Sequence, residues 1–454
     1  MARRKSAHPR TTIACRPGVH TSRTQATRAA RLRPPASRVA VVTAFAAFIV
    51  AVVVAPASAQ EYRVYGTVTA ELLHAWSEAE PANRLAVPLS ASLAHSISGE
   101  SFDLSARTVL SAPPSNASPG GPSAAQITVP QLSLTMYPAT WLTARVGRFD
   151  LDWGTTLVFT PGNDLALAGT EAGSFSADPE AGAALSVTEL AAGLAGDSST
   201  APGSVNGVSI SLIPGPTTIV GFAASLPASL PTTSANPWQE ITVAAWADAL
   251  LGGVEAFVGF QYRRGSVLRP SLGLSLDVGG TIVAGEVAVE FAERYRYPTE
   301  ALTFEPRDTA EPVAAISAQR TFAVDDLSLS LGAEYLYTDL GYSEAEAGRF
   351  YDLVATGFEP ASGDADASDL APLGRHYLTA QISLSWLAVA ELSVGGLINP
   401  SDGSFAAGGE LSIVALEALD VYLRSALIGG EEGRSEFGLL GTHSTTAIGV
   451  RLNL

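Results

Sequence analysis

Leu327-Ser328-Leu329-Ser330-Leu331-Gly332-Ala333-Glu334-Tyr335-Leu336-Tyr337 is the stretch on which the fold turns. Its odd positions are Leu, Leu, Leu, Ala, Tyr and Tyr, while Ser328, Ser330, Gly332 and Glu334 occupy the first four even ones. A helix puts residues three and four apart on one face, whereas a strand sends alternate residues to opposite faces. The stretch is therefore a strand with one apolar and one polar side. Residues 378–386 repeat the pattern, and so does the C-terminus, where Ile448, Val450, Leu452 and Leu454 oppose Ala447, Gly449, Arg451 and Asn453.

Eighteen segments of about ten residues, the length of a tilted membrane strand, carry this alternation. They lie near 61–73, 87–97, 101–110, 126–136, 141–151, 205–213, 217–226, 239–247 and 253–263. The series continues at 267–278, 281–291, 312–323, 327–338, 373–386, 391–399, 404–414, 419–428 and 443–453. Tight links at 98–99, 137–140, 214–216, 279–280, 325–326, 387–390 and 415–418 alternate with longer polar stretches at 111–125, 152–204, 227–238, 295–311, 339–372 and 429–442. An even number of strands, with tight turns at one end and long loops at the other, is the pattern of an outer-membrane barrel.

Composition agrees. The chain is 47% hydrophobic and only 16% charged, yet after Gln60 no stretch reaches the length and apolarity of a spanning helix. The best one, 241–260, contains Asp248, Glu255 and Gly252, Gly253 and Gly259. A sheet whose apolar face meets lipid cannot leave an edge of unpaired amides, so it closes on itself. The expected fold is all-β: a transmembrane antiparallel up-and-down β-barrel of about 16–18 strands. Tyr62, Tyr137, Trp141, Tyr295, Tyr297, Tyr335, Tyr337 and Trp386 lie near strand ends, where amphipathic rings meet the membrane interface.

Residues 1–38 hold ten bases and no acid, followed by the apolar run 39–55 and Ala57-Ser58-Ala59. That is the order of a secretory signal. Cleavage after Ala59 is expected, leaving 60–454 as a single outer-membrane barrel with long outer loops at 152–204 and 339–372; an uncleaved helical anchor is the alternative. Without the ten leader bases, 17 Arg face 44 Asp+Glu, a mature net charge of −27. Such a chain lacks the positive field that nucleic acid requires. Cys15 is the only cysteine and lies in the leader, so the mature chain has no disulfide or thiolate site.

The polar face of each strand then turns inward. By parity, and at one strand end, it brings Arg63, Asp103, Arg107, Arg148, Glu255, Arg263, Glu286, Glu290, Glu334, Glu391, Glu410, Arg424 and Arg451 to the lumen, with Glu71, Gln261 and Asp277. A barrel of 16–18 strands leaves an aqueous interior. These charges are expected to face water there, because charge is costly without solvent or partners. Acids outnumber bases on this face, so a mild cation preference is expected. The segment 161–204 lacks alternation and is expected to fold over the outer mouth or inward to narrow the lumen, with a short helix at 181–196.

Gly147-Arg148-Phe149-Asp150-Leu151-Asp152-Trp153-Gly154, with Pro161-Gly162-Asn163-Asp164 after it, resembles the G-R-x-x-x-x-W-G stretch of porin-like bacterial outer-membrane β-barrel proteins. The resemblance covers about 20 residues and implies an early strand running into an outer loop, and passive solute diffusion. Within it, Arg148 with Asp150 or Asp152 reads as a salt bridge or a solute contact where the strand meets the channel. One departure is the C-terminal Leu454, where many such barrels carry an aromatic residue for the barrel-assembly machinery.

No catalytic signature accompanies the pattern. The mature histidines, His74, His95, His376 and His443, form no H-E-x-x-H or paired metal spacing. No enzyme activity, cofactor or metal is expected. Two functions remain: passive diffusion of small hydrophilic solutes across the outer membrane, or a non-conducting barrel that displays its loops for adhesion or structural contact.

Overall fold

The computed structural model describes residues 61–77, 84–87, 89–112, 126–151, 153–161, 204–226, 241–263, 267–291, 295–301, 303–356, 372–387, 389–440 and 443–454. The leader and the segment 181–196 lie outside the described residues. The barrel strands are β1 Glu61–Ser77, β2 Leu89–Ser98, β3 Phe102–Ala112, β4 Gln126–Ala139, β5 Leu142–Asp150 and β6 Ser204–Gly215. Then come β7 Thr218–Leu226, β8 Thr242–Leu251, β9 Val254–Arg263, β10 Val267–Val278, β11 Thr281–Phe291 and β12 Ala310–Val324. The last are β13 Leu327–Thr338, β14 His376–Trp386, β15 Ala390–Asn399, β16 Ser404–Leu416, β17 Leu419–Gly429 and β18 His443–Asn453. Each of the eighteen segments read from the sequence overlaps one of them.

Every strand pairs antiparallel with its neighbours in the chain. β18 then pairs with β1, from Thr67 against Asn453 to Ser77 against His443, and the 18-strand ring closes. Period two decides which side each residue takes. On β12, Ile316 is 56% exposed on the outside, and its neighbour Ser317 is 3% exposed on the inside. Val258, Leu272, Val287 and Ile448 share the exposed outer side, whereas Phe257, Gln261, Ser271, Glu286 and Ala447 are buried within. An outer surface of exposed Val, Leu, Ile and Phe is a surface made for hydrocarbon, not water.

The ring is tied at its seam by inward side chains from four strands. Tyr422 donates to Glu71 at 2.6 Å and Arg424 to the same carboxylate at 2.9 Å, both reaching from β17 to β1 across β18. Arg451 on β18 pairs with Glu410 on β16 at 3.1 Å and stacks 5.0 Å from the Tyr422 ring. Four charged groups thus leave water in matched pairs, the condition under which partly buried ions add to stability. Replacing Glu71 by Ala removes the acceptor of two donors and should cost about 2 kcal/mol. The check is the temperature at which the refolded barrel loses its compact gel mobility. A double-mutant cycle with Arg424→Ala should be strongly non-additive, and additive losses would show the pair to be idle.

Candidate functional site

Past the end of β5 the chain turns inside the barrel. Residues 153–161 run along the inner faces of β8 to β14, and each contact is specific. The Trp153 ring stacks on Trp246 of β8, with centroids 4.8 Å apart at 18°. The Thr155 N–H donates to Glu286 Oε2 on β11 at 3.0 Å. The N–H groups of Leu157, Val158 and Phe159 all donate to the Glu334 carboxylate on β13, at 3.0, 2.7 and 2.9 Å. Arg269 of β10 donates to the carbonyl of Pro161 at 3.1 Å and forms a buried ion pair with Glu290 of β11. Three consecutive amides converging on one carboxylate neutralise it with partial charges, as in the anion-holding nests of backbone N–H groups.

The local sequence makes the turn possible. Gly147 has φ +124° and Gly154 φ +123°, a region L side chains rarely adopt. A Cβ on Gly147 would lie 2.1 Å from the Leu132 carbonyl oxygen, and one on Gly154 would lie 2.7 Å from Glu286 Oε2. The two glycines of the G-R-x-x-x-x-W-G stretch thus serve the strand pairing and the inward turn. Between them Phe149 is fully buried with Trp153, Trp246 and Phe257.

The structure corrects several sequence expectations. Glu286, Glu290 and Glu334 have inward parity, but they are 3%, 1% and 2% exposed. They do not face water, because 153–161 and Arg269 cover and bond them. Arg148 is not on the inner wall. It stands in register with Leu132 and Asn206, on the same side as the exposed Val146, while Arg145 and Phe149 point inward. Arg63 keeps inward parity but sits at the tight-turn end, exposed and paired with Glu61 at 2.7 Å.

Other residues fall on inward rows. Asp103 accepts from Tyr137 at 2.7 Å, and Arg107 donates to Ser92 at 3.0 Å. Glu255, Asp277 and Glu391 are exposed on inward rows near the tight-turn end. Glu410, Arg424 and Arg451 belong to the seam. Arg263 ends β9 opposite Thr242, and its side chain lies outside the described residues, as do the side chain of Asp150 and all of Asp152.

The long-loop end carries order that strand reading does not find. Residues Glu344–Ala355 form helix α1, opened by a capping box in which Ser343 and Glu346 bond each other's backbone N–H. Tyr297, Tyr342 and Phe350 form its buried contact, joined by Phe304, Leu373 and Leu439 from three different loops. Tyr295 and Tyr297, expected at a membrane interface, lie in this loop core instead. The Arg307 guanidinium lies 3.8 Å over the Tyr297 ring and pairs with Glu346 and Glu311. Beside the cluster, Glu436 accepts from Tyr377 at 3.0 Å and Asn399 at 2.9 Å, while its own N–H donates to Asp402 at 2.7 Å. Burial pushes the Glu436 carboxyl up to about 7; the donors Tyr377 and Asn399 oppose that shift, and the nearby Asp402 charge adds to it.

No protein-family model matches the sequence, and no curated protein matches it. Among solved structures, OccAB1 of Acinetobacter baumannii aligns with 87% of this chain and 96% of its own at a TM-score of 0.50 and 12% identity. OccK8 (OprE) of Pseudomonas aeruginosa aligns with 87% of this chain and 98% of its own, at 0.48 and 10%. The outer membrane protein opdK of Pseudomonas aeruginosa gives 87% and 98%, at 0.47 and 11%. The likeness to OccAB1 is one of fold, and the chain has the architecture of a porin-like outer-membrane barrel.

Because Glu436 holds its proton more tightly when the loop is docked, docking is firmest in acid and weakens as pH rises from the ordinary glutamate value toward 7. Amide protection over 434–439 should therefore fall across that window, at most about tenfold per pH unit. Glu436→Gln should keep protection high and flat. An equally steep fall in the variant would assign the effect to another group.

Proposed function

We propose that this protein is a passive diffusion channel for small hydrophilic solutes in the outer membrane. The observation that carries the reading is the arrangement inside the ring. A sheet of 18 strands encloses more space than its side chains fill, and a built segment, 153–161, lies along one side of that space. Glu286, Glu334 and Arg269 fix the segment, leaving the inward rows of β3 and β5, with Arg107 and Arg145, across from it. An aqueous path shaped in this way sorts solutes by size and charge. The basic and apolar leader supports export with cleavage after Ala59, and a closed antiparallel barrel is the kind of fold the barrel-assembly machinery would insert.

The cation preference moves to a different set of groups. Glu286, Glu290 and Glu334 are bonded out of play, so the preference would rest on inward acids near the tight-turn mouth, among them the exposed Glu255, Asp277 and Glu391. Refolded protein in planar bilayers should give discrete conductance steps, with a reversal potential on the cation side in a salt gradient. Glu255→Gln with Glu391→Gln should lower the cation-to-anion ratio roughly twofold. A correctly folded barrel that gave no steps would support the loop-display reading instead.

A further inference from the structure

Arg320 lies on the wrong side of the wall for an arginine. It follows Ile316 and Ala318 on the exposed outer row of β12 and precedes Phe322 and Val324, both also exposed. The outer surface stays apolar below it, through Phe322, Val324 and Leu327, to the tight turn at 325–326. Four residues from the end of a tilted strand place it about 10 Å inside that turn. Its guanidinium rests 4.8 Å from the Phe322 ring, and its hydrogen bond to the Thr281 hydroxyl is 3.5 Å long. Among the described residues no carboxylate forms an ion pair with it. Across the sheet Arg320 pairs in register with Thr281, the first residue of β11 after the tight turn at 279–280. The guanidinium therefore lies toward the interface, where the cost of an arginine on the lipid face falls and lipid headgroups offer a counter-charge. Beside it the small side chains of Ala318 and Ala333 leave a shallow groove of about 280 Å³, walled by Leu331, Phe322 and Thr281.

We infer that Arg320 and this groove form a binding site for one phospholipid of the leaflet nearest the tight turns. The guanidinium forks onto the phosphodiester, and an acyl chain lies in the groove over Ala318 and Ala333. The inference rests on the barrel standing in a bilayer, not on its conducting.

Native mass spectrometry of the refolded chain in detergent tests it, with dioleoyl phosphatidylglycerol or dioleoylglycerol added. The phosphatidylglycerol should be retained and the phosphate-free dioleoylglycerol lost, and excess inorganic phosphate should not displace the bound lipid. Arg320→Gln and Ala318→Phe should each weaken retention about tenfold while compact gel mobility persists. Equal retention of both lipids, displacement by inorganic phosphate, or undiminished retention in Arg320→Gln would overturn the site. The lipid comparison uses the unaltered protein, so it decides the matter even where a variant fails to refold. A barrel that retained the lipid but passed no current would refute the channel and keep the site.

Discussion

A backbone amide in hydrocarbon has no water to bond, and that single constraint sets the architecture. Each unpaired N–H or C=O at a sheet edge would cost several kcal/mol, so the last strand has to find the first. It does so along eleven paired positions from Thr67 to Ser77. Closure then divides every strand into an outer row that meets lipid and an inner row that does not. The chain uses the division consistently: Ile316 outside and Ser317 inside, Val287 outside and Glu286 inside. The seam also receives the inward ion pairs Glu71–Arg424 and Glu410–Arg451, where the chain's two ends meet without a covalent link between them.

Once the ring is closed, its interior raises the opposite problem. Buried carboxylates need donors, and the inner wall between β10 and β13 carries Glu286, Glu290 and Glu334. One is matched by Arg269 and the other two by main-chain N–H groups of 153–161. The dependence runs both ways. The segment has no regular secondary structure to satisfy its amides, and the acids have too few cations of their own. Each supplies what the other lacks, which is why a stretch without helix or strand keeps one path along the wall.

The barrel was legible in the sequence because its signal is local. Period two over ten residues, as at 327–337, needs no knowledge of what lies across the sheet. Parity likewise placed Glu286 inward and Val287 outward. It did not reveal what covers Glu286, since that depends on residues 153–161, more than a hundred positions away. Arg148 was misplaced because the motif suggested the channel, whereas counting from Val146 puts it outside. Helix α1 did leave a local trace, the capping box Ser343-Glu344-Ala345-Glu346, within a stretch whose polarity read as loop. The aromatic core of Tyr297, Tyr342 and Phe350 left none, because its members come from loops separated by some forty residues.

The central claim is that Glu334 holds 153–161 against the inner wall, and Ser317 reports on it directly. Ser317 pairs with Glu334 on the neighbouring strand, faces inward and is buried. Residues 60–454 hold no cysteine, so in a barrel refolded from them Ser317→Cys is the only thiol available to a water-soluble reagent. The account predicts slow labelling of Ser317→Cys in the otherwise unaltered barrel. Adding Glu334→Ala, which removes the acceptor of three amides, should speed labelling by about tenfold or more. Fast labelling of Ser317→Cys with Glu334 in place, or no acceleration on its removal, would contradict it.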